Sequence, residues 1–182
     1  MTQHSSDVQQ ATLGGGCFWC IESAFIQVRG ILDVESGYSG GTVKFPTYKQ
    51  VCEGNTGHAE VAQISYDPKQ ISYREILEIF YTLHDPTQLN RQGNDIGEQY
   101  RGVIFYHDNE QRQQAEQMIA ELTEDEVFAE PIVTQVEPLE VFYPAEQYHK
   151  DYYRRNPENA YCQAVISPKL AKFRKTFAAK LK

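Results

Sequence analysis

The sequence lacks any long apolar run. None of its stretches approaches the ~20 consecutive apolar residues that a membrane-spanning helix requires. Its first ten residues are polar and have neither the basic region nor the apolar stretch of a secretory signal. These two absences predict a cytoplasmic protein, and a reducing compartment in turn decides how its cysteines are interpreted.

Cysteine is scarce and scattered as well. The cysteines are Cys17, Cys20, Cys52 and Cys162, too few for the disulfide framework of a small secreted domain. A zinc site of four thiolates requires two close pairs, and only Cys17 and Cys20 form one. The histidines show no His-x-x-x-His spacing either, so we expect no bound metal. A reducing compartment leaves two interpretations for these residues, a reactive thiol or a buried inert one.

Positive charge is in short supply overall. The chain carries 17 Lys and Arg against 25 Asp and Glu, a formal net charge of −8, which argues against a nucleic-acid-binding domain. The exception is the C-terminal end, where only basic charges occur from Lys169 onward. We expect a basic amphipathic helix over residues 169–182. Its pattern favours a surface helix that packs Phe173 and Phe177 on the domain, although membrane-surface and partner-binding helices share that pattern.

The spacing of apolar residues predicts alternating strands and helices. A helix is expected to begin near Cys17, and further helices after Ser72 and after Asp108. Strands are predicted over residues 31–38, 61–66, 103–106 and 132–136. We therefore predict a single domain over residues 1–182 with a loose tail over residues 1–10. Its fold class is α/β (α+β), a two-layer sandwich of a mixed sheet flanked by helices.

The densest chemical signal is the run Gly-Gly-Gly-Cys-Phe-Trp-Cys, which contains Cys17. Cys17 is expected where a strand ends and a helix begins, and the free N–H groups and dipole of a helix start favour a thiolate. Trp19 lies off the apolar stripe of this helix, so we expect it to be exposed beside the thiol. The alternative is that Cys17 is a small hydrophobe in the core, which leaves the three glycines without a packing reason.

Four further motifs follow this run, and one of them contains Glu60. A carboxyl group that enters a strand from a glycine-rich loop can be partly buried with a raised pKa. With the first run included, the five motifs are Gly-Cys-Phe-Trp-Cys, Gly-Tyr-Ser-Gly-Gly, Gly-His-Ala-Glu, Arg-Gln-Gly-Asn-Asp-Ile-Gly-x-Gln-Tyr-Arg and Asn-Ala-Tyr-Cys. In this order, over about residues 12–177, the sequence resembles the A-type peptide methionine sulfoxide reductases. The resemblance implies a ferredoxin-like core and thiol-dependent reduction of methionine S-sulfoxide, free or in proteins.

The resemblance also implies roles for individual residues. Reducing a sulfoxide transfers its oxygen to an attacking thiolate, and that oxygen is a poor leaving group unless it is protonated. Cys17 matches the family's nucleophile, and Glu60 matches its acid. The polar ring around the sulfoxide oxygen is matched by Tyr38, Asp95 and Tyr100. The apolar wall for the methyl group is matched by Phe18 and Trp19.

Recycling of the enzyme requires a second thiol. Attack leaves Cys17 as a sulfenic acid, which another cysteine can convert to a disulfide. Cys162 matches the family's recycling position, while Cys20 and Cys52 stay open as alternatives. Some relatives carry two cysteines in the tail and this chain carries one, so the resemblance implies that thioredoxin or another dithiol reduces the disulfide. It implies no metal or organic cofactor, and we expect a monomer whose partners are thioredoxin and oxidised proteins.

Two alternatives of other classes stay open. The Cys-x-x-Cys arrangement of Cys17 and Cys20 is typical of a thioredoxin-like disulfide-exchange or redox-sensing module. The bulky Phe18 and Trp19 between them argue against this hypothesis. The basic C-terminal helix could instead belong to a non-enzymatic binding protein, in which the cysteines would be dispensable.

Overall fold

The centre of the fold is a mixed sheet. A computed structural model of the chain describes residues 7–182. Its strands are β1 (Gln9–Gly14), β2 (Ile31–Ser39), β3 (Ala59–Tyr66), β4 (Arg91–Gln92), β5 (Asp95–Ile96), β6 (Val103–Tyr106), β7 (Gln135–Pro138) and β8 (Tyr143–Pro144). The main sheet has the order β7-β6-β1-β3-β2-β8, and β4 pairs with β5 in a separate hairpin. Neighbouring strands are antiparallel except for β6 and β7, which are parallel.

Helices connect and flank these strands. The α-helices are α1 (Phe18–Phe25), α2 (Tyr48–Cys52), α3 (Tyr73–Leu83), α4 (Asn109–Glu124), α5 (Tyr152–Arg155) and α6 (Ser167–Thr176). The elements β1-α1-β2-β3-α3-β6 follow one another in the chain, and their strands lie side by side as β6-β1-β3-β2. This is the β-α-β-β-α-β arrangement of ferredoxin-like folds. The predicted fold class, a mixed sheet flanked by helices, is confirmed.

Alternation along the strands separates two faces of the sheet. One face carries Leu13 and Ile64 into the main core, where they are fully buried with Phe25, Phe80 and Phe173 from the helices. The opposite face carries a smaller cluster, whose buried members are Ala59, Val61, Val103 and Phe105. Since Glu60 lies between two residues of the smaller cluster, its side chain leaves β3 on the face that carries α1.

The capping residues that the sequence predicted at two helix starts are present in the structure. The Ser72 hydroxyl accepts the Glu75 N–H at 3.1 Å, and the Glu75 carboxylate accepts the Ser72 N–H at 3.1 Å, which forms a capping box on α3. The Asp108 carboxylate accepts the Gln111 N–H at 2.9 Å and caps α4. The helix predictions after Ser72 and Asp108 are therefore confirmed.

The C-terminal helix is shorter than predicted. Helix α6 ends at Thr176 and a 3₁₀ turn follows, so the prediction of helix over residues 169–182 is wrong at its end. Phe173 is buried and the partly buried Phe177 packs against the main core. Lys180 pairs with Glu75 at the start of α3. These contacts agree with a surface helix that packs on the domain.

Three other features concern the ends and edges of the chain. The strand predicted over residues 132–136 lies at Gln135–Pro138, three residues later at its start. The loose tail predicted over residues 1–10 is wrong for Gln9 and Gln10, which belong to β1, and residues 1–6 lie outside the described part. Within residues 7–182, every helix is too short or too polar to cross a membrane.

Candidate active site

Cys17 lies between β1 and α1, as the sequence predicted. It is the N-cap residue of α1, with extended backbone, and only 9% of it is exposed. The glycines before it have structural reasons that the sequence did not reveal. Gly16 has a φ of +90°, and a Cβ on Gly14 would lie 2.8 Å from the Glu60 carbonyl oxygen. Small residues therefore bring the end of β1 close to Glu60 and turn the chain into the helix.

Glu60 faces the start of α1 from the neighbouring strand. It is 1% exposed, and its Oε1 accepts the Phe18 N–H at 3.1 Å. Its Oε2 is buried and has no hydrogen-bond partner among residues 7–182. Burial raises the pKa of Glu60 to about 8 against the lowering effect of the Phe18 N–H, and the charge of Asp95 raises it further. The carboxyl group therefore carries a proton at neutral pH.

The Cys17 thiol is held protonated by the same surroundings. Burial raises its pKa well above the usual value, and the negative charge that Glu60 gains when it ionises adds to this effect. The Trp19 N–H and the Tyr161 hydroxyl act in the opposite direction without reversing it. The helix start predicted a thiolate at rest. The structure differs because desolvation and the neighbouring carboxyl outweigh the helix dipole.

The Glu60 pKa gives a prediction for stability. A carboxyl whose pKa rises from 4.5 when unfolded to about 8 when folded stabilises the fold fully at acidic pH, and this stabilisation is lost as pH rises through about 8. We expect Glu60→Gln to change the free energy of unfolding little near pH 4. At pH 9 the variant should be more stable than wild type by a few kcal/mol, because a tenfold change in an ionisation constant corresponds to about 1.4 kcal/mol. Urea unfolding at both pH values measures the difference, and equal differences would contradict the assignment.

Tyrosine hydroxyls surround the thiol and the carboxyl group. Burial raises the pKa of Tyr48 and Tyr100, and the charges of Glu60 and Cys17 raise both pKa values further. The Tyr48 ring lies 6.2 Å from that of Phe18, and the Tyr100 carbonyl oxygen accepts the Gly16 N–H at 3.2 Å, so both tyrosines lie beside the start of α1. The Tyr161 hydroxyl donates a hydrogen bond to Asp95, which brings that predicted residue into the ring.

Tyr38 does not join this ring through its hydroxyl. It is fully buried, and the hydroxyl donates to Glu146 Oε1 at 2.8 Å. The other oxygen of Glu146 accepts the Tyr48 N–H at 2.7 Å, at the start of α2. The Tyr38 ring packs on Phe18, with ring centroids 5.7 Å apart, and its hydroxyl is engaged by Glu146.

Three functional candidates were missed by the sequence reasoning. Tyr161 stands directly before Cys162 in a motif that was noticed for its cysteine alone. Tyr48 follows Thr47, which caps α2 through a capping box with Gln50 and so offered a local signal. Glu146 offered no such signal, because its partners are distant in the sequence.

The apolar wall is built around Phe18 and Trp19. Phe18 is fully buried, with its ring 5.0 Å from that of His149. Trp19 is half-buried rather than openly exposed, because its indole stacks on Tyr152 at 3.8 Å and 7°. Its Nε1–H donates to His149 Nδ1 at 2.9 Å. One face of this aromatic group is thus fixed by protein contacts.

The remaining cysteines occupy different surroundings. Cys162 is fully buried in a π-helical turn directly after Tyr161, whose hydroxyl acts on Cys17. Cys20 is buried in the main core, and Cys52 is exposed at the end of α2. All are free thiols. Within residues 7–182, no cluster of His, Cys, Asp and Glu could hold a metal ion.

A thiol and a carboxyl group of raised pKa that are both buried at the start of one helix are typical of an oxidoreductase that uses thiol chemistry. The family model described as "Peptide methionine sulfoxide reductase" matches residues 9–181, and the chain belongs to this family. "Peptide methionine sulfoxide reductase MsrA" of Saccharolobus solfataricus is 55% identical over 96% of this chain and 98% of its own length. The protein of the same name from Leptospira borgpetersenii is 59% identical, over 93% of this chain and 95% of its own length. The predicted family and enzyme class are confirmed.

Solved structures agree with the family assignment. The reduced form of Mxr1 from Saccharomyces cerevisiae is 35% identical and has a TM-score of 0.81, covering 88% of this chain and 92% of its own. Methionine sulfoxide reductase A of Corynebacterium diphtheriae is 32% identical with a TM-score of 0.75, covering 84% of this chain and 77% of its own. The likeness therefore extends over most of the fold.

Proposed function

We propose that the site reduces the S epimer of methionine sulfoxide, free or in proteins, with Cys17 as the nucleophile and Glu60 as the acid. One observation carries this proposal. The buried Oε2 of Glu60 has no partner within residues 7–182, and burial raises the pKa of its carboxyl group to about 8, which favours a bound proton at neutral pH. A sulfoxide oxygen can accept that proton, and it leaves sulfur readily only once protonated.

The first step transfers oxygen from the substrate to the enzyme. The Cys17 sulfur attacks the sulfoxide sulfur. The substrate's S–O bond breaks, and the oxygen becomes bonded to the Cys17 sulfur as S–OH. Cys17 is oxidised to a sulfenic acid and methionine sulfoxide is reduced to methionine, a two-electron exchange. Glu60 protonates the departing oxygen and recovers a proton from the thiol, so that protons also balance.

Substrate binding is proposed to use two groups of side chains. Phe18 and Trp19 would hold the methyl group, since a sulfur–methyl group packs favourably on aromatic rings. Tyr48, Asp95 and Tyr100 would surround the oxygen, with Tyr48 in the role first assigned to Tyr38. The polar groups are proposed to stabilise charge on the oxygen as the bond breaks.

The second step regenerates the nucleophile. The Cys162 thiol condenses with the Cys17 sulfenic acid, which forms a disulfide and releases water. Cys162 is buried and directly follows Tyr161, whose hydroxyl acts on Cys17, which supports its choice as the partner. Cys20 and Cys52 remain the alternative partners.

An external dithiol then reduces the disulfide, and we propose a protein of the thioredoxin class as that reductant. Mxr1 has been solved in complex with Trx2, which is a property of that protein. Thiols supply both electrons, so this proposal includes no metal or organic cofactor. We further propose a single-domain monomer, because one chain supplies the thiol, the carboxyl group and the aromatic residues of the site. We also propose a reducing cytoplasm, because the site requires Cys17 as a free thiol.

Incubation with separate epimers tests the function. The protein, dithiothreitol and the S or R epimer of N-acetylmethionine sulfoxide are combined, and the N-acetylmethionine formed is measured by chromatography. We expect the S epimer to be consumed and the R epimer to persist. Persistence of both epimers would reject the proposed function.

Replacement of the resolving cysteine gives a separate prediction. We expect Cys162→Ser to lower thioredoxin-driven turnover at least about tenfold, because the sulfenic acid has no internal thiol to meet. Dithiothreitol should largely restore turnover, and dimedone should label Cys17 in the variant after one exposure to substrate. Cys52→Ser is the matched control and should keep its thioredoxin-driven rate. Full activity in Cys162→Ser would assign the resolving role to another cysteine.

A further inference from the structure

Helix α1 is fastened to a later part of the chain at two points. That part, residues 147–155, includes a 3₁₀ turn and α5 and is called the clasp segment here. At the first point Trp19 donates to His149 and stacks on Tyr152. The clasp segment thereby fixes the indole that forms part of the proposed apolar wall.

Glu22, one helical turn after Trp19, forms the second contact between α1 and the clasp segment. It is 3% exposed, and its two carboxylate oxygens lie 3.1 and 3.0 Å from the Asp151 backbone N, which donates its N–H to them. Asp151 has a φ of 56°, a conformation that residues with side chains rarely adopt. This backbone turn directs its N–H toward Glu22, on the same side of α1 as Trp19.

Charged groups surround Glu22 at the edge of the clasp segment. Lys150 Nζ bonds Asp33 Oδ1 at 2.7 Å, and Arg154 pairs with Asp151. Burial raises the pKa of Glu22 to about 7 although the Asp151 N–H and Lys150 oppose it, while the charges of Asp151 and Asp33 add to the increase. A buried carboxyl that takes no part in oxygen transfer is costly to keep, and an apolar side chain would avoid that cost.

We propose that ionised Glu22 is a positioning residue, which holds the clasp segment against α1 and so fixes the Trp19–Tyr152 stack that binds the substrate's methyl group. This inference rests on the proposed function for its kinetic part. A charged acceptor binds an N–H more strongly than a neutral one. Protonation of Glu22 therefore loosens the clasp segment and weakens substrate binding, while Cys17 and Glu60 keep their positions.

Trp19 is the only tryptophan of the chain, and its fluorescence reports on the stack directly. Fluorescence of reduced protein, excited at 295 nm, is recorded from pH 5.5 to 8.5 for wild type, Glu22→Gln and the control Glu35→Gln, which changes an exposed carboxylate. We expect wild type and the control to show a transition near pH 7 that Glu22→Gln lacks. His149 also contacts the indole, and burial lowers its pKa. If the transition near pH 7 survives in Glu22→Gln, it belongs to His149 or to Glu60, whose pKa is about 8, and the proposal is overturned.

Kinetics on N-acetylmethionine S-sulfoxide supply the second readout. At pH 8 we expect Glu22→Gln to raise KM about threefold to tenfold, the loss of one charge-assisted bond, with kcat changed less than twofold. Wild-type KM should approach the variant's value at pH 6. An unchanged KM would overturn the proposal. A variant that loses both kcat and folding stability would also overturn it, because that result indicates general structural damage. Should Glu22→Gln fold poorly, a wild type that shows no fluorescence transition near pH 7 still overturns the proposal. The fluorescence experiment also stands if neither epimer is reduced.

Discussion

Replacing Cys17 with serine is expected to abolish the reduction of methionine sulfoxide by dithiothreitol, a loss of at least about 10⁴-fold. A serine hydroxyl has nearly the same size, so the start of α1 should keep its structure. Its oxygen cannot accept the sulfoxide oxygen as a thiol does, because the step requires oxidation of the attacking atom. Chromatography of the methionine formed from the S-sulfoxide measures the loss.

Cys20→Ser provides the matched control for this substitution. Cys20 lies on the same helix, is likewise buried, and contributes to the main core rather than to the tyrosine ring. We expect this variant to retain dithiothreitol-driven activity within about threefold of wild type, since a buried thiol acts as a small apolar group. The reverse outcome, an active Cys17→Ser and an inactive Cys20→Ser, would make Cys20 the reactive thiol and would reject the role proposed for Cys17.

The elements that could be predicted are those fixed by neighbours in the sequence. The capping box of Ser72 and Glu75 and the N-cap at Asp108 involve residues three positions apart. The position of Cys17 at the start of α1 follows from the glycines before it and the apolar stripe after it. Such signals remain valid in the folded protein because they depend on backbone groups of the same turn.

The choice between Tyr38 and Tyr48 could not be made locally. The hydroxyl of Tyr38 is engaged by Glu146, which lies 108 residues later in the chain. Trp19 likewise meets His149 across 130 residues, and this contact turns an expected exposed side chain into a half-buried one. Periodicity describes which face of an element is apolar, but it does not describe which distant residue meets that face.

The ionisation of Cys17 was also decided by distant groups. The helix start acts locally and favours a thiolate, whereas burial and Glu60, on another strand, favour the thiol. We propose that the carboxyl group and the thiol keep their protons until a substrate oxygen arrives to accept one. A carboxyl in this position opposes the ionisation of the nucleophile, so its proposed value to the enzyme lies in the proton that it delivers.

Glu60→Gln separates these two effects, because glutamine has the same shape and cannot release a proton. We expect the single-turnover rate with the S-sulfoxide at pH 7 to fall about 10²–10⁴-fold, the usual contribution of a general acid. The pKa of Cys17 should fall at the same time, since the carboxylate that opposed the thiolate is gone. Quenched-flow analysis of the methionine formed measures the single-turnover rate, and thiolate absorbance at 240 nm measures the pKa of Cys17. The control is Glu53→Gln, which changes an exposed carboxylate after α2. A more acidic thiol that also reacts faster would mean that ionisation of Cys17, and not protonation of the oxygen, limits the reaction, and Glu60 would lose its proposed role.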